Sequence, residues 1–153
     1  MHGFRDAPVA HAARRWADVV IRALHSPSDP KTIEHWARTV GASPSALRTV
    51  CAAAGWKPKA ALDFARVLRA ATLAEADRSW EPYNLLDISD PRTLKRFLQA
   101  AGVSHSASAP HADQIIAHYR SHIHDSAAQI ILDAARSLAA QSLAERLEQR
   151  RFI

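Results

Sequence analysis

Four histidines crowd one short stretch near the end of the chain: His111, His118, His122 and His124. His118 and His122 are four apart, so on a helix both imidazoles would face a Zn2+, with Asp125 nearby as an oxygen ligand. No Glu follows the first His of that pair and Cys51 is the sole thiol, so the metalloprotease helix pattern is absent. Polar helix positions are the commoner reading, and no metal site is expected. No pairing of Ser, His and acid stands out as a catalytic constellation. The expectation is therefore a protein that is not an enzyme and takes no cofactor. A different chemistry is available earlier in the chain. Ser45, Arg48 and Thr49 sit at helical spacing, and an arginine fork matches the O6/N7 edge of guanine while hydroxyls reach bases or phosphates.

Side chains do such work only when rigid elements hold them out. Stepping along Thr32–Cys51, two short helices meeting at a steep angle need a small residue at their contact, a turn that can visit positive φ, and apolar plugs inside. Ala37 supplies the contact and Gly41 the turn; Trp36, Val40, Leu47 and Val50 supply the plugs. Ser43 caps the second helix, which runs to about Ala54, and leaves its first amides for a phosphate. With Leu47 and Val50 inward, Ser45, Arg48, Thr49 and Ala52 point out. A helical hairpin with no ligand has the same spacing.

The flanking elements are helical as well. Pro8 to about His25 carries Val9, Ala13, Trp16, Val20 and Leu24 at helical spacing. Ser26–Pro30 breaks it, with Asp29-Pro30 as the expected cap and first turn of a helix over Lys31–Thr39. Lys57-Pro58 starts a long helix to about Asp77, striped by Leu62, Ala65, Leu68, Ala71 and Leu73. After Trp80-Glu81-Pro82 comes a short apolar piece, Tyr83–Ile88, then Asp90-Pro91 opens a helix over Arg92–Ala101 that stops at Gly102. No strand signal is present. The four tryptophans read as core, and Cys51 as a small buried residue.

The stretch Thr32–Glu75 resembles the DNA-binding domain of the AraC/XylS transcription regulators. The residues that carry the likeness are Ser43 and Leu47 (Ser-x-x-x-Leu), Gly55, Pro58, and Arg66 with Ala70 (Arg-x-x-x-Ala) on the long helix. Asp90–Gly102 is similar to that family's second recognition helix, with Arg96, Phe97 and Gly102 in place. The resemblance implies an all-α, bipartite helix-turn-helix domain over residues 8–104 whose two recognition helices enter successive major grooves. Ser43, Ser45, Arg48 and Thr49 would contact DNA from the first unit, and Arg92, Thr93, Lys95 and Arg96 from the second. The second unit is degenerate, because Tyr83–Ser89 is too short for a full first helix and turn. No effector domain accompanies it.

Bulk properties agree with that expectation. Nearly half of the 153 residues are apolar (48%) and only four are Gly, which favours close-packed helices. Of the net charge of +5, all falls in residues 1–105, with 15 Lys/Arg against 10 Asp/Glu. A basic body suits a polyanion. The start MHGFRDAPVA lacks the apolar region of a signal peptide, and no run reaches the ~18 apolar residues of a membrane span. The expected setting is cytoplasmic, with no membrane.

Residues 105–110 read as a linker, and residues 111–153 as a helical oligomerisation segment without Gly or Pro, either one long helix or two joined as a hairpin. A single helix of that length would span roughly 60 Å, so it must fold back or pair with a partner. Homodimerisation is the preferred expectation, since dimeric readers double their half-sites; the alternative is extra core over the basic domain. A rival for the whole chain is a helical adaptor that binds a partner protein through this segment.

Overall fold

The computed structural model describes residues 3–77, 81–103 and 110–151. Eight α-helices account for most of them: α1 (Gly3–Leu24), α2 (Ile33–Val40), α3 (Pro44–Ala53), α4 (Pro58–Asp77), α5 (Pro82–Leu85), α6 (Pro91–Ala100), α7 (Ala112–His118) and α8 (Asp125–Arg151). No strand occurs among the described residues, so the fold is all-α. Nearly all of the expected linker, residues 105–109, and Trp80 lie outside the described residues.

The centre is α4. Its apolar stripe widens into burial on nearly all sides between Ala61 and Ala76, because α1, α2, α3, α5, α7 and α8 all touch it. Ala61, Ala65, Ala70, Ala71 and Ala74 are each fully buried, and their small side chains let neighbouring backbones approach. α1, α4 and α8 each touch the other two. Trp16 of α1 stacks on Trp56 and Phe64 at centroid distances of 4.7 and 5.7 Å, and Tyr119 meets Phe64 edge-on at 5.0 Å. These rings join the first, middle and last thirds of the chain.

Three polar residues of α4, Arg66, Arg69 and Thr72, are buried within this core. Arg66 grips the Asp29 carboxylate, and Asp29 also accepts the Asp87 backbone N–H at 2.9 Å. Asp29 is therefore not the cap of α2. That role falls to Thr32, whose hydroxyl accepts from the His35 N–H at 3.1 Å, and α2 begins at Ile33. The long-range pair overrides the local capping preference. Another boundary also moves: α1 starts at Gly3, so Pro8 lies inside it rather than at its head.

Of the two arrangements open to the stretch after residue 111, the structure has two joined helices. α7 ends at His118, a 3-10 turn covers Arg120–His122, and α8 starts at Asp125. No Gly or Pro makes this break. Arg120 makes it instead, donating to the Ile123 carbonyl at 3.2 Å and to Asp125 at 2.6 Å, while Ile123 turns into the core. His124 then caps α8, its Nδ1 accepting the Ser126 N–H at 3.2 Å. The buried residues of α8, Ala127, Ala128, Ile131 and Ala135, join the same core as α1 and α4. No helix among the described residues is long and apolar enough to cross a membrane.

Candidate nucleic-acid interface

The turn between α2 and α3 is built as its sequence suggests. Gly41 adopts φ 70°, its N–H turns back to the last turn of α2, and the Ala42 N–H reaches the Ala37 carbonyl at 2.9 Å. A left-handed residue at that point stops α2 and swings the chain into Ser43. The Ser43 hydroxyl accepts from the Ala46 N–H at 3.1 Å, and Pro44 fills the first position of α3, where its missing donor is harmless.

The inner face is closed. Trp36, Ala37, Val40, Leu47 and Cys51 are buried and Val50 is half-buried. Two side chains lock this pair of helices to α1: the Trp36 indole N–H donates to the Val19 carbonyl at 2.8 Å, and Arg22 donates to the Val40 carbonyl at 3.1 Å. Burial holds the Cys51 thiol in its neutral form, pushing its pKa up to about 11.

With that face fixed, Ser43, Ser45, Arg48, Thr49 and Ala52 are all exposed. α3 carries no acidic residue of its own. The Thr49 hydroxyl donates back to the Ser45 carbonyl at 3.1 Å, which holds it against its own helix. Arg48 is engaged: its Nη2 lies 3.6 Å from Glu34 of α2, both side chains being more than half exposed. An exposed pair of this kind is weak and opens readily for a stronger anion.

Sequence reasoning read the apolar face of α1 and overlooked its basic one. His11, Arg14, Arg15 and Arg22 line a groove of about 520 Å3 whose floor includes Val19, Val40, Leu47 and Val50. The signal was present, since His11, Arg14, Arg15, Asp18 and Arg22 recur at three- and four-residue steps opposite Trp16 and Val20. Arg14 and Arg15 set positive charge beside α3, while Arg22 pairs with Asp18 at 3.2 Å.

The second group of residues stands on α6. Asp90 caps it by accepting the Thr93 N–H and hydroxyl at 3.1 and 2.6 Å, and these bonds hold its carboxyl below the usual carboxylate range. Leu94 and Leu98 are fully buried, so Arg92, Thr93, Lys95 and Arg96 face outward. α5, at four residues, is too short to reproduce the α2–turn–α3 arrangement ahead of α6.

The four histidines are drawn apart. His111 pairs with Glu75 at 3.0 Å, His118 meets the Ala100 carbonyl at 3.1 Å, His122 lies beside Trp56, and His124 caps α8. Because α7 stops at His118, the four-residue helical spacing to His122 is not realised. Among the described residues no group of three His, Cys, Asp or Glu could hold a metal ion.

No family model, no curated protein and no solved structure matches the chain.

Proposed function

We propose that the chain is a sequence-specific double-stranded DNA-binding protein of the transcription-regulator kind, acting in the cytoplasm. In this reading α2 and α3 are a helix-turn-helix of the AraC type, and α3 enters the major groove. The observation that carries it is the outward face of α3: Ser45, Arg48, Thr49 and Ala52 are exposed together on a helix free of acidic residues. A base-reading helix needs short side chains for approach and donors for the base edges, and this face has both. Arg48 reads a guanine, Ser45 and Thr49 reach bases or phosphates, and Ser43 stands at the phosphate end. His11, Arg14 and Arg15 extend the contact to the backbone. Arg92, Lys95 and Arg96, with Thr93, add phosphate contacts from α6.

Fluorescence anisotropy tests this reading, with duplex DNA titrated over a salt series. Bound cations leave the duplex as basic side chains replace them, so affinity falls steeply with salt. Arg48→Ala loses about 1–3 kcal/mol on a preferred sequence and little on random duplex. Absence of binding to any duplex at low salt rejects the proposal.

A second reading rests on the far end of α8. Beyond Ala135 no residue of the helix whose side chain is described is buried, and Leu147 is 55% exposed. That end suits a homodimer contact, or an adaptor's contact with a partner protein. Light scattering distinguishes the two: a homodimer doubles the mass of the pure protein, whereas an adaptor stays monomeric.

A further inference from the structure

A separate cavity of about 520 Å3 opens between the loop after α1, the start of α2 and the α5 region. Its wall includes Ser28, Lys31, His35, Arg69, Asn84 and Asp87. Arg69 is the unusual member. The residue is only 6% exposed, yet no carboxylate lies within ion-pair distance of it among the described residues. Its Nε donates to the Ser26 carbonyl at 3.0 Å and its Nη1 to the Leu85 carbonyl at 3.2 Å. Its Nη2 has no hydrogen-bond partner among the described residues, although Arg69 lines the cavity.

The neighbouring carboxylates are already used. Asp29 receives Arg66 and the Asp87 N–H, and the Asp87 side chain sits 3.3 Å from Lys31. Arg66, Arg69 and Lys31 therefore face two carboxylates, and the uncompensated charge is that of Arg69. Burial pushes the Arg69 pKa down, and the nearby Asp29 charge, already shared with Arg66, pulls it back only in part. With Nε and Nη1 each given to a backbone carbonyl, the Nη2 N–H groups are the donors left for a planar or tetrahedral oxyanion. The volume falls within the range of small-molecule sites.

We propose that this cavity binds a small polar metabolite through one oxyanion group, a phosphate or a carboxylate, held by Arg69. Lys31 strengthens the field at the mouth, and Ser28, His35 and Asn84 offer hydrogen bonds to the rest of the ligand. The site is independent of the DNA reading.

The test is titration of the isotope-labelled protein with sodium phosphate and, separately, sodium succinate, with ionic strength held by sodium chloride. The reporter is the Arg69 Nε–Hε resonance, which the Ser26 carbonyl fixes in place. The expected result is a saturable shift with at least one probe at up to tens of millimolar, and none with chloride. Lys31→Gln, an exposed change outside the buried network, weakens that response severalfold. A response to phosphate alone assigns phosphorylated ligands, and one to succinate alone assigns carboxylates. An Arg69 resonance that neither probe moves, or that chloride moves equally, overturns the proposal.

Discussion

Arg66 and Asp29 meet as a buried, forked ion pair, with Nε 3.0 and 3.2 Å from the two carboxylate oxygens and Nη2 2.6 Å from Oδ2. The Phe97 ring covers the guanidinium at 4.8 Å, so the pair joins α4, the loop before α2, and α6. Arg66→Met leaves Asp29, whose side chain is 3% exposed, as a buried charge without its ion-pair partner, held by the Asp87 N–H. The expected loss is about 3–5 kcal/mol in urea unfolding. Lys59→Ala removes an exposed pair with Asp63 and costs less than about 1 kcal/mol. Similar losses for the two variants would show that the buried pair has no special role.

That pair also marks where sequence reading stops. Gly41, Ser43, Gly55 and Asp90-Pro91 announced their helix ends because capping and positive φ are local properties. The outward set Ser45, Arg48, Thr49 and Ala52 followed from the inward set on the same helix. Asp29 was misplaced because its partner lies 37 positions away and no local spacing reveals it. The choice between one helix and two after residue 111 stayed open for a similar reason, since the break after His118 is made by Arg120 and His124 side chains rather than by Gly or Pro. The groove beside α3 needed α1 to be docked before its basic edge acquired a neighbour.

Gly102 and His118 give a second quantitative test. Gly102 holds φ 75° after α6, and a Cβ added there would stand 2.5 Å from the His118 ring. Gly41 has a similar φ of 70° but open space around it. Gly41→Ala is expected to lose about 1 kcal/mol from backbone strain alone. Gly102→Ala should lose clearly more, and His118→Ala in the same chain should recover the excess. Additive losses in that double-mutant cycle would mean that the ring simply swings away.

Cys51 predicts a high-pH decline. Its thiol has a pKa of about 11 when folded against 9.0 when free, so the unfolded chain releases this proton first. The stabilising contribution is complete below pH 9 and is lost as the pH climbs toward 11. Urea midpoints measured across that window should fall more steeply for wild type than for Cys51→Ala. Equal slopes would show that other groups govern the decline. The same burial makes Cys51 slow to react with a thiol reagent until the protein unfolds.

Glu34 offers the sharpest test of α3 as a reading helix. Its carboxylate sits 3.6 Å from Arg48 and competes with any DNA anion for the same guanidinium. An exposed pair contributes less than about 1 kcal/mol to stability, so Glu34→Gln should leave the melting temperature nearly unchanged. It should, however, free Arg48 and remove a negative charge facing the duplex. Anisotropy titration at low salt should then show severalfold tighter DNA binding, a gain that shrinks as salt screens both charges. In the Arg48→Ala background most of the gain should disappear, because the freed partner is gone. Equal gains in both backgrounds would reduce Glu34 to general repulsion and leave Arg48 without a specific place at the DNA.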